Sequence, residues 1–202
     1  MPQCAFCQPE VRTREAIATS ENFYVIPTIG QISDGGHVLI ISNAHLPCLG
    51  ALEKSFFHEL IDFKDKVQSA VRKEYGTTIC FEHGIIGQSV PHAHLQILPS
   101  TCDLFQTLKM KYPFYFEMEN LDDLGKVYDE RRVYLFYENQ QSTKYAFIMD
   151  AIPQYLRLVA AEQMGRTPRG DWRAWRSDSV CAERDDELMV ETLRRLKRVL
   201  NA

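Results

Sequence analysis

The chain has 202 residues, of which 45% are hydrophobic and 25% are charged, as in ordinary globular proteins. This length accommodates one substantial core, or one domain with an extension. The formal net charge of −4 argues against a protein that coats nucleic acid, because no overall basic field would attract a phosphate backbone. The sequence has no apolar run of 18 residues and no signal-peptide pattern, so we expect no membrane association and a cytoplasmic location.

Cys4 and Cys7 begin the chain with a Cys-x-x-Cys turn. Such a turn can place two thiolates on one tetrahedral zinc, and a complete site then needs two more ligands. Only three residues precede Cys4, whereas a thioredoxin-like role requires a strand before the motif. A redox or zinc sensor built on these two thiols stays an alternative.

The first hundred residues read as a hairpin, a helix and further strands. Apolar residues spaced three or four apart between positions 51 and 75 predict an amphipathic helix, which Gly76 ends. Before it, the sequence predicts strand material over residues 15–29, a turn at 33–36 and a buried strand at 37–42. After it, we predict a strand over residues 77–81 and a loop at 82–84 that contains His83.

Residues 87–99 combine a glycine turn with an alternating strand pattern. Gly87, Gln88 and Ser89 can bring backbone amides and a hydroxyl close to an anion. Pro91 suits the first position of a strand. Residues two apart share a face of a strand, roughly 7 Å from each other, so the pattern predicts that His92, His94 and Gln96 project together. Two imidazoles and an amide beside such a turn favour the handling of a phosphoryl group.

This pattern resembles the histidine triad superfamily of nucleotide hydrolases and transferases, whose motif is His-x-His-x-His after Gly-Gln-Ser or Gly-Gln-Thr. Gln96 stands in place of the third histidine, which is similar to the branch that holds galactose-1-phosphate uridylyltransferase and the diadenosine tetraphosphate phosphorylases. The resemblance covers about the first hundred residues. It implies an α+β histidine-triad-like domain at 1–102, with an antiparallel sheet and one long helix, followed by a C-terminal α/β extension at 103–202 that packs on it.

The resemblance also implies a metal site and a nucleotide site. By analogy with the uridylyltransferase, His45 and His92 complete a closed structural zinc site with Cys4 and Cys7; four unrelated residues in a reduced protein are the other interpretation. Family members often have a polar residue near the phosphate at the position of His83, although a plain loop histidine explains that residue equally well. The aspartate that commonly holds the ribose in relatives has no counterpart at residues 27–30, and His37 is interpreted as structural.

The chemistry of these residues predicts covalent catalysis. A neutral imidazole can attack phosphorus without bringing negative charge, so we expect His94 to form a covalent nucleotidyl-histidine. Ser89 and the amides of the Gly87 turn are expected to steady the phosphoryl oxygens. Gln96 can hydrogen-bond the phosphoryl group but cannot relay a proton, which favours an acidic leaving group and a phosphorylated acceptor over water.

The second half of the chain is predicted to contain strands at 114–118, 133–137 and 145–149 and helices at 153–164 and 183–200. Between the two helices, residues 165–175 form an arginine- and tryptophan-rich loop. The loop could reach over the active strand to neutralise phosphates, or it could be a solvated surface with the tryptophans tucked beneath it. Residues 170–173 are faintly similar to the tail of a splicing-associated branch with a histidine-triad-like domain.

The sequence therefore predicts a nucleotidyl transferase or hydrolase that acts on a nucleoside di- or polyphosphate derivative, such as a nucleotide sugar. The alternative is a non-catalytic nucleotide-binding or RNA-processing accessory module with a structural zinc. A homodimer is the default expectation, because single-domain family members usually pair through sheet and helix. The extension could instead cover that surface and leave a monomer.

Overall fold

The computed structural model describes residues 4–148 and 150–201 and contains one eight-stranded sheet. The strands are β1 (Ala18–Thr19), β2 (Phe23–Pro27), β3 (Val38–Ser42), β4 (Thr78–Gly84), β5 (His94–Pro99), β6 (Tyr115–Met118), β7 (Tyr134–Glu138) and β8 (Lys144–Phe147). Every neighbouring pair is antiparallel, and the strand order is β1-β2-β3-β5-β4-β7-β8-β6.

Within the described ranges, seven helices accompany the sheet. They are α1 (Pro9–Arg14), α2 (Phe56–Tyr75), α3 (Phe105–Lys111), α4 (Asp123–Arg131), α5 (Tyr155–Gln163), α6 (Trp172–Arg176) and α7 (Ser179–Leu200). Short 3-10 turns lie at Ala5–Cys7, Leu49–Ala51 and Thr167–Arg169. No helix in the described part of the chain is long and apolar enough to cross a bilayer.

The two faces of the sheet pack against different helices. Leu95 and Ile97 of β5 face one core, which α2, α4 and α7 cover. Leu98 points to the opposite core, which α3 and α5 cover. Because side chains alternate along a strand, His94 and Gln96 lie on the α5 face, away from α2. This alternation places both polar side chains where the N-terminal segment and the second half of the chain meet.

The predicted fold class, α+β with an antiparallel sheet and one long helix in the first part of the chain, is confirmed. Several predicted boundaries are wrong. The helix α2 starts at Phe56 and not at position 51, because residues 49–51 form a 3-10 turn whose amides donate to buried Glu82 and Tyr134. The arginine loop folds into a 3-10 turn and α6, because the Asp171 carboxylate caps that helix. Helices α1, α3 and α4 were not predicted.

The strands of the second half extend the same sheet. β7 pairs with β4 over five residue pairs, so β4 lies in the sheet interior. The division at residue 102 stays a prediction, and the sheet runs through both predicted parts. The predicted strand 145–149 is observed as Lys144–Phe147, and its last residue, Met149, lies outside the described residues.

The turn between β2 and β3 is fastened to α7 by a buried carboxylate. Asp185 is 0% exposed, and its two oxygens accept the backbone N–H groups of Gly30 and Gln31 at 2.8 and 2.7 Å. Arg176 donates to the same carboxylate at 2.7 Å and to the exposed Asp186 at 2.8 Å. A buried carboxylate is stable only when such partners satisfy it, so this contact ties α7 to the sheet.

We predict that Asp185→Asn lowers the free energy of unfolding by about 3 kcal/mol, because the amide NH2 would face a backbone donor and Arg176 would lose its buried partner. Asp186→Asn is the matched control and should change stability by about 0.5 kcal/mol or less, since its side chain is 61% exposed. Urea unfolding of both variants measures the difference. Equal losses in the two variants would contradict the assigned role of Asp185.

Candidate functional site

A cavity of 190 Å³ opens on the α5 face of the sheet beside the first residues of β5. The N-terminal segment, the β2–β3 region, the turn before β5 and the second half of the chain all contribute to it. Its lining residues are Ala5, Phe6, Val11, Glu15, Ile26, Pro27, Thr28, Ile29, Leu39, Ser89, Val90, His94, Gln96, Arg157 and Trp172. Three of the predicted site residues, Ser89, His94 and Gln96, are therefore brought together in one cavity.

His94 is held in one tautomer. Its Nδ1 lies 2.6 Å from the backbone carbonyl oxygen of His92, and a carbonyl can only accept, so Nδ1 carries the proton. The other ring nitrogen, Nε2, has no hydrogen-bond partner in the described chain. Burial lowers the pKa of His94 to about 4; the His92 carbonyl opposes this shift, whereas the charges of His92 and Arg157 add to it. The ring is therefore neutral at physiological pH, with a lone pair on Nε2.

Gln96 is oriented by two donors on the side away from bulk solvent. His37 Nε2 lies 3.1 Å from its Oε1, and Arg157 Nη1 lies 3.5 Å from the same atom. This arrangement directs the amide oxygen to the two donors and leaves the NH2 group without an acceptor among the described residues. The interpretation of His37 as a structural residue did not include its contact with Gln96.

The turn before β5 is supported by the second half of the chain. Gly87 has φ +77°, and a Cβ there would lie 2.9 Å from the Ile152 carbonyl oxygen, so glycine is required. Its own carbonyl accepts Gln154 N–H at 2.7 Å. Ser89 Oγ accepts Trp172 Nε1–H at 3.4 Å. The Gln88 side chain donates to the Pro47 carbonyl at 2.6 Å and does not line the cavity.

Arg157 and Glu15 line the cavity and were missed from the sequence. Arg157 lies on α5, is 3% exposed and donates to the Gly30 and Gly170 carbonyls as well as to Gln96. Burial raises the pKa of Glu15. Neither residue stands in a recognisable motif, and each lies far along the chain from His94 and Gln96. The sequence alone therefore gave no sign that they line the cavity.

Cys4, Cys7, His45 and His92 form a compact cluster, in which one ligand atom from each lies within 4.8 Å of the others. Cys4 Sγ is 3.4 Å from His92 Nδ1, and Cys7 Sγ is 3.3 Å from His45 Nδ1. Zinc–sulfur and zinc–nitrogen bonds of about 2.3 and 2.0 Å at a tetrahedral angle separate the two ligand atoms by about 3.5 Å. The distances and the donor set therefore fit one tetrahedral metal ion.

The protonation of His92 also fits a metal ligand. Its Nε2 lies 2.8 Å from the Ser42 carbonyl oxygen, so the proton sits on Nε2 and the lone pair of Nδ1 points to the thiols. Ligating histidines commonly donate their second nitrogen in this way. Tyr24 O–H donates to the Phe6 carbonyl at 2.7 Å and fastens the Cys-x-x-Cys turn to β2.

The predicted start of the strand at Pro91 is wrong. Strand β5 begins at His94, and residues 89–92 form bends, in which His92 N–H donates to the Val90 carbonyl at 2.9 Å. The bend turns the His92 ring toward the cysteines, while His94 faces the cavity. The two imidazoles therefore serve separate sites.

The predicted loop around His83 is also wrong, because β4 continues to Gly84. The His83 ring is buried and its Nε2 accepts the Leu156 backbone N–H at 3.0 Å. Burial lowers the pKa of His83 to about 3, and the charges of His94 and Arg157 add to this shift. His83 does not line the cavity.

The arginines of residues 165–175 have different positions. Arg166 and Arg169 pair with Asp34 on the surface. Arg173 lies over the Trp172 ring and donates to the Ser89 carbonyl at 3.3 Å. Of the two interpretations of this segment, the surface role describes Arg166 and Arg169, whereas Trp172 and Arg173 reach the turn that borders the cavity.

Similar proteins were found by sequence and by structure. A curated relative from Drosophila melanogaster, named CWF19-like protein 1 homolog, is 30% identical over 125 residues, which are 59% of this chain and 21% of that protein. The chain thus spans about a fifth of the length of this relative.

Among solved structures, a hypothetical histidine triad nucleotide-binding protein from Sulfolobus tokodaii strain7 is 22% identical with a TM-score of 0.43, over 50% of this chain and 71% of its own. A member of the HIT family of proteins from Bacillus subtilis is 18% identical with a TM-score of 0.43, over 64% of this chain and 96% of its own.

One family model covers more than half of the chain. The family is described as "Protein similar to CwfJ C-terminal", and its model matches residues 1–117. This range contains the metal-ligand cluster, the turn at Gly87 and the strand that carries His94 and Gln96. The chain belongs to this family of proteins similar to the CwfJ C-terminal region.

Proposed function

We propose that the chain is a nucleotidyl transferase or hydrolase that acts on a nucleoside di- or polyphosphate derivative through a covalent nucleotidyl-histidine. The observation that carries this proposal is the environment of His94, whose Nδ1 proton is held by the His92 carbonyl while the ring lines a cavity. A neutral imidazole with a free Nε2 lone pair is a nucleophile for phosphorus.

In the first step, the Nε2 lone pair of His94 attacks the α-phosphorus, a P–N bond forms, and the P–O bond to the leaving group breaks with its electron pair on that oxygen. The Nδ1 proton stays on the ring, where the His92 carbonyl stabilises the positive charge of the phosphorylated imidazole. In the second step, an ionised acceptor oxygen such as that of a phosphate attacks phosphorus, and the P–N bond breaks with its electron pair on Nε2, which regenerates the neutral imidazole. Ser89, at the border of the cavity, can donate to a phosphoryl oxygen in both steps.

Gln96 separates the subclasses of this reaction. Because its Oε1 already accepts from His37 and Arg157, its NH2 group is available to a phosphoryl oxygen, but an amide cannot protonate a leaving group. The leaving group must therefore be acidic, such as a phosphate. This requirement supports the transferase and phosphorylase branch, which the His-x-His-x-Gln pattern resembles.

The second part of the proposal is a structural zinc bound by Cys4, Cys7, His45 and His92. The mutual distances of the ligand atoms and the Nε2–H bond of His92 support this assignment. A bound zinc would supply four bonds that join the N-terminal segment to the loop after β3 and to the bend before β5. Since Phe6 lies between the two cysteines and its ring centroid is 5.4 Å from that of His94, the cluster also positions one wall of the cavity.

A non-catalytic nucleotide-binding or RNA-processing accessory module is the second candidate. The lack of an acid at residues 27–30 and the similarity of residues 170–173 to a splicing-associated branch favour it. Such a module would keep the cavity and the zinc but form no covalent adduct.

The homodimer and the cytoplasmic location stay predictions. The pairing of β7 with β4 supports the alternative to a dimer, in which the second half of the chain covers the surface through which single-domain family members pair.

We predict that the wild-type chain forms a phosphoramidate on His94 when it is incubated with labelled dinucleoside polyphosphates or nucleoside diphosphate sugars. The adduct should be lost in acid and retained in base, and mass spectrometry would locate it. His94→Asn should abolish the adduct and lower turnover by about three orders of magnitude or more. His58→Asn is the control, because His58 is an exposed residue of α2. Full turnover of His94→Asn would refute the mechanism.

We predict one zinc per chain in protein prepared with zinc present, measured by elemental mass spectrometry. Cys7→Ser should remove most of the metal and lower the thermal midpoint, because a tetrahedral site loses one of its four ligands. Cys181→Ser, on α7 and outside the cluster, should keep full zinc content. A metal-free wild-type protein, or unchanged zinc in Cys7→Ser, would contradict the assignment. Inert zinc that resists mild oxidants would argue against the redox-sensor alternative.

A further inference from the structure

Arg157 is a buried cation at the wall of the cavity. Its side chain is 3% exposed and lies beside Gln96. We propose that Arg157 binds the second phosphoryl group of the substrate, an inference that rests on the proposed nucleotidyl-transfer function. The site would then select compounds with a phosphoanhydride over nucleoside monophosphates.

The charge of Arg157 has no direct counter-ion among the residues that the structure describes. Across residues 4–148 and 150–201, no carboxylate oxygen lies within 4.0 Å of its guanidinium nitrogens. The two acids whose charges act on it are Asp185 and Asp171. Both are already engaged, Asp185 by Arg176 and the β2–β3 turn, and Asp171 by Gln154 and the first amides of α6.

A buried charge is normally paired, because its transfer from water is costly. Burial lowers the pKa of Arg157 to about 10, so the group stays charged at neutral pH. The protein thus retains a desolvated positive charge beside an open cavity. An anionic ligand in that cavity would supply the missing counter-ion.

The hydrogen bonds of Arg157 leave part of the guanidinium for a ligand. It has five N–H donors, and its protein acceptors are Gln96 Oε1 and the carbonyls of Gly30, Arg169 and Gly170. Four acceptors leave one N–H, on the Nη1 that neighbours Gln96. Together with the free NH2 of Gln96, this N–H forms a set of donors that matches a phosphoryl group.

The register of β5 places this donor set next to the nucleophile. His94 and Gln96 are alternate residues on one face of the strand, roughly 7 Å apart. A substrate whose α-phosphorus meets His94 Nε2 extends its next phosphoryl group along the strand toward Gln96 and Arg157. On the other side of His94, its Nδ1 faces the His92 carbonyl oxygen, which would repel an anion. The substrate class is therefore a nucleoside bearing at least two linked phosphoryl groups.

The test compares equilibrium binding of mono- and diphosphates by calorimetry at fixed ionic strength, with AMP/ADP, GMP/GDP and UMP/UDP pairs and with inorganic pyrophosphate. For at least one base, we expect the wild-type chain to bind the diphosphate about 10-fold or more tightly than the monophosphate, as expected of a charge-assisted pair. Arg157→Gln should reduce this ratio to about 2-fold or less and leave monophosphate affinity nearly unchanged. Arg157→Lys should keep part of the ratio.

Arg166→Gln is the matched control, because Arg166 belongs to the same half of the chain but pairs with Asp34 on the surface. A purely structural role of Arg157 predicts equal loss of mono- and diphosphate binding in Arg157→Gln, and that result would overturn the proposal. If Arg157→Gln fails to fold by circular dichroism, the wild-type ratio and Arg157→Lys decide. A wild-type ratio near one for every base, with no binding of pyrophosphate, would also overturn it.

The same measurements separate this proposal from the catalytic one. His94→Asn should keep the preference for diphosphates, since binding of the second phosphoryl group does not require the nucleophile. A diphosphate preference without any covalent adduct in the wild type would support Arg157 and refute catalysis. A covalent adduct without that preference would support catalysis and refute the assignment of Arg157.

Discussion

One hydrogen bond connects the two candidate sites, namely the bond from His94 Nδ1–H to the His92 carbonyl oxygen. It fixes the tautomer of the imidazole that lines the cavity, and its acceptor belongs to the residue whose own ring joins the cysteine cluster. The Phe6 ring lies against both imidazoles, with centroid distances of 5.8 Å to His92 and 5.4 Å to His94. Any ligand that orders the cluster therefore also orders the backbone that holds the nucleophile candidate.

The second half of the chain is part of the site and not only of the sheet. Gln154 N–H holds the Gly87 carbonyl, Trp172 contacts Ser89, and Arg157 holds Gln96. Gly30 lacks a Cβ that would lie 2.4 Å from the Trp172 Cβ, so the β2–β3 turn and α6 approach closely. These contacts, together with the Asp185 carboxylate that joins α7 to the same turn, make the cavity a product of both halves.

Local patterns predicted the parts of this molecule that depend on neighbouring residues. Alternation along residues 94–98 assigned His94 and Gln96 to one face, and three-to-four spacing predicted most of α2. The short helices α1, α3 and α4 were not predicted, because short segments carry little periodic signal. The four metal-ligand candidates were grouped from a family resemblance, and the structure brings them together. The roles assigned to the individual site residues stay predictions.

The sequence by itself determined the two-residue alternation on β5 and the residue types available for phosphate and metal, because these depend on local periodicity and side-chain chemistry. The fold class was predicted from a family resemblance. Only the tertiary structure decided that the His92 ring meets Cys4, that His83 is buried under α5, and that Arg157 reaches the cavity. The physical reason is distance along the chain. Arg157 meets Gln96 across 61 residues, and such a contact arises only when a remote helix packs onto the sheet face that carries Gln96.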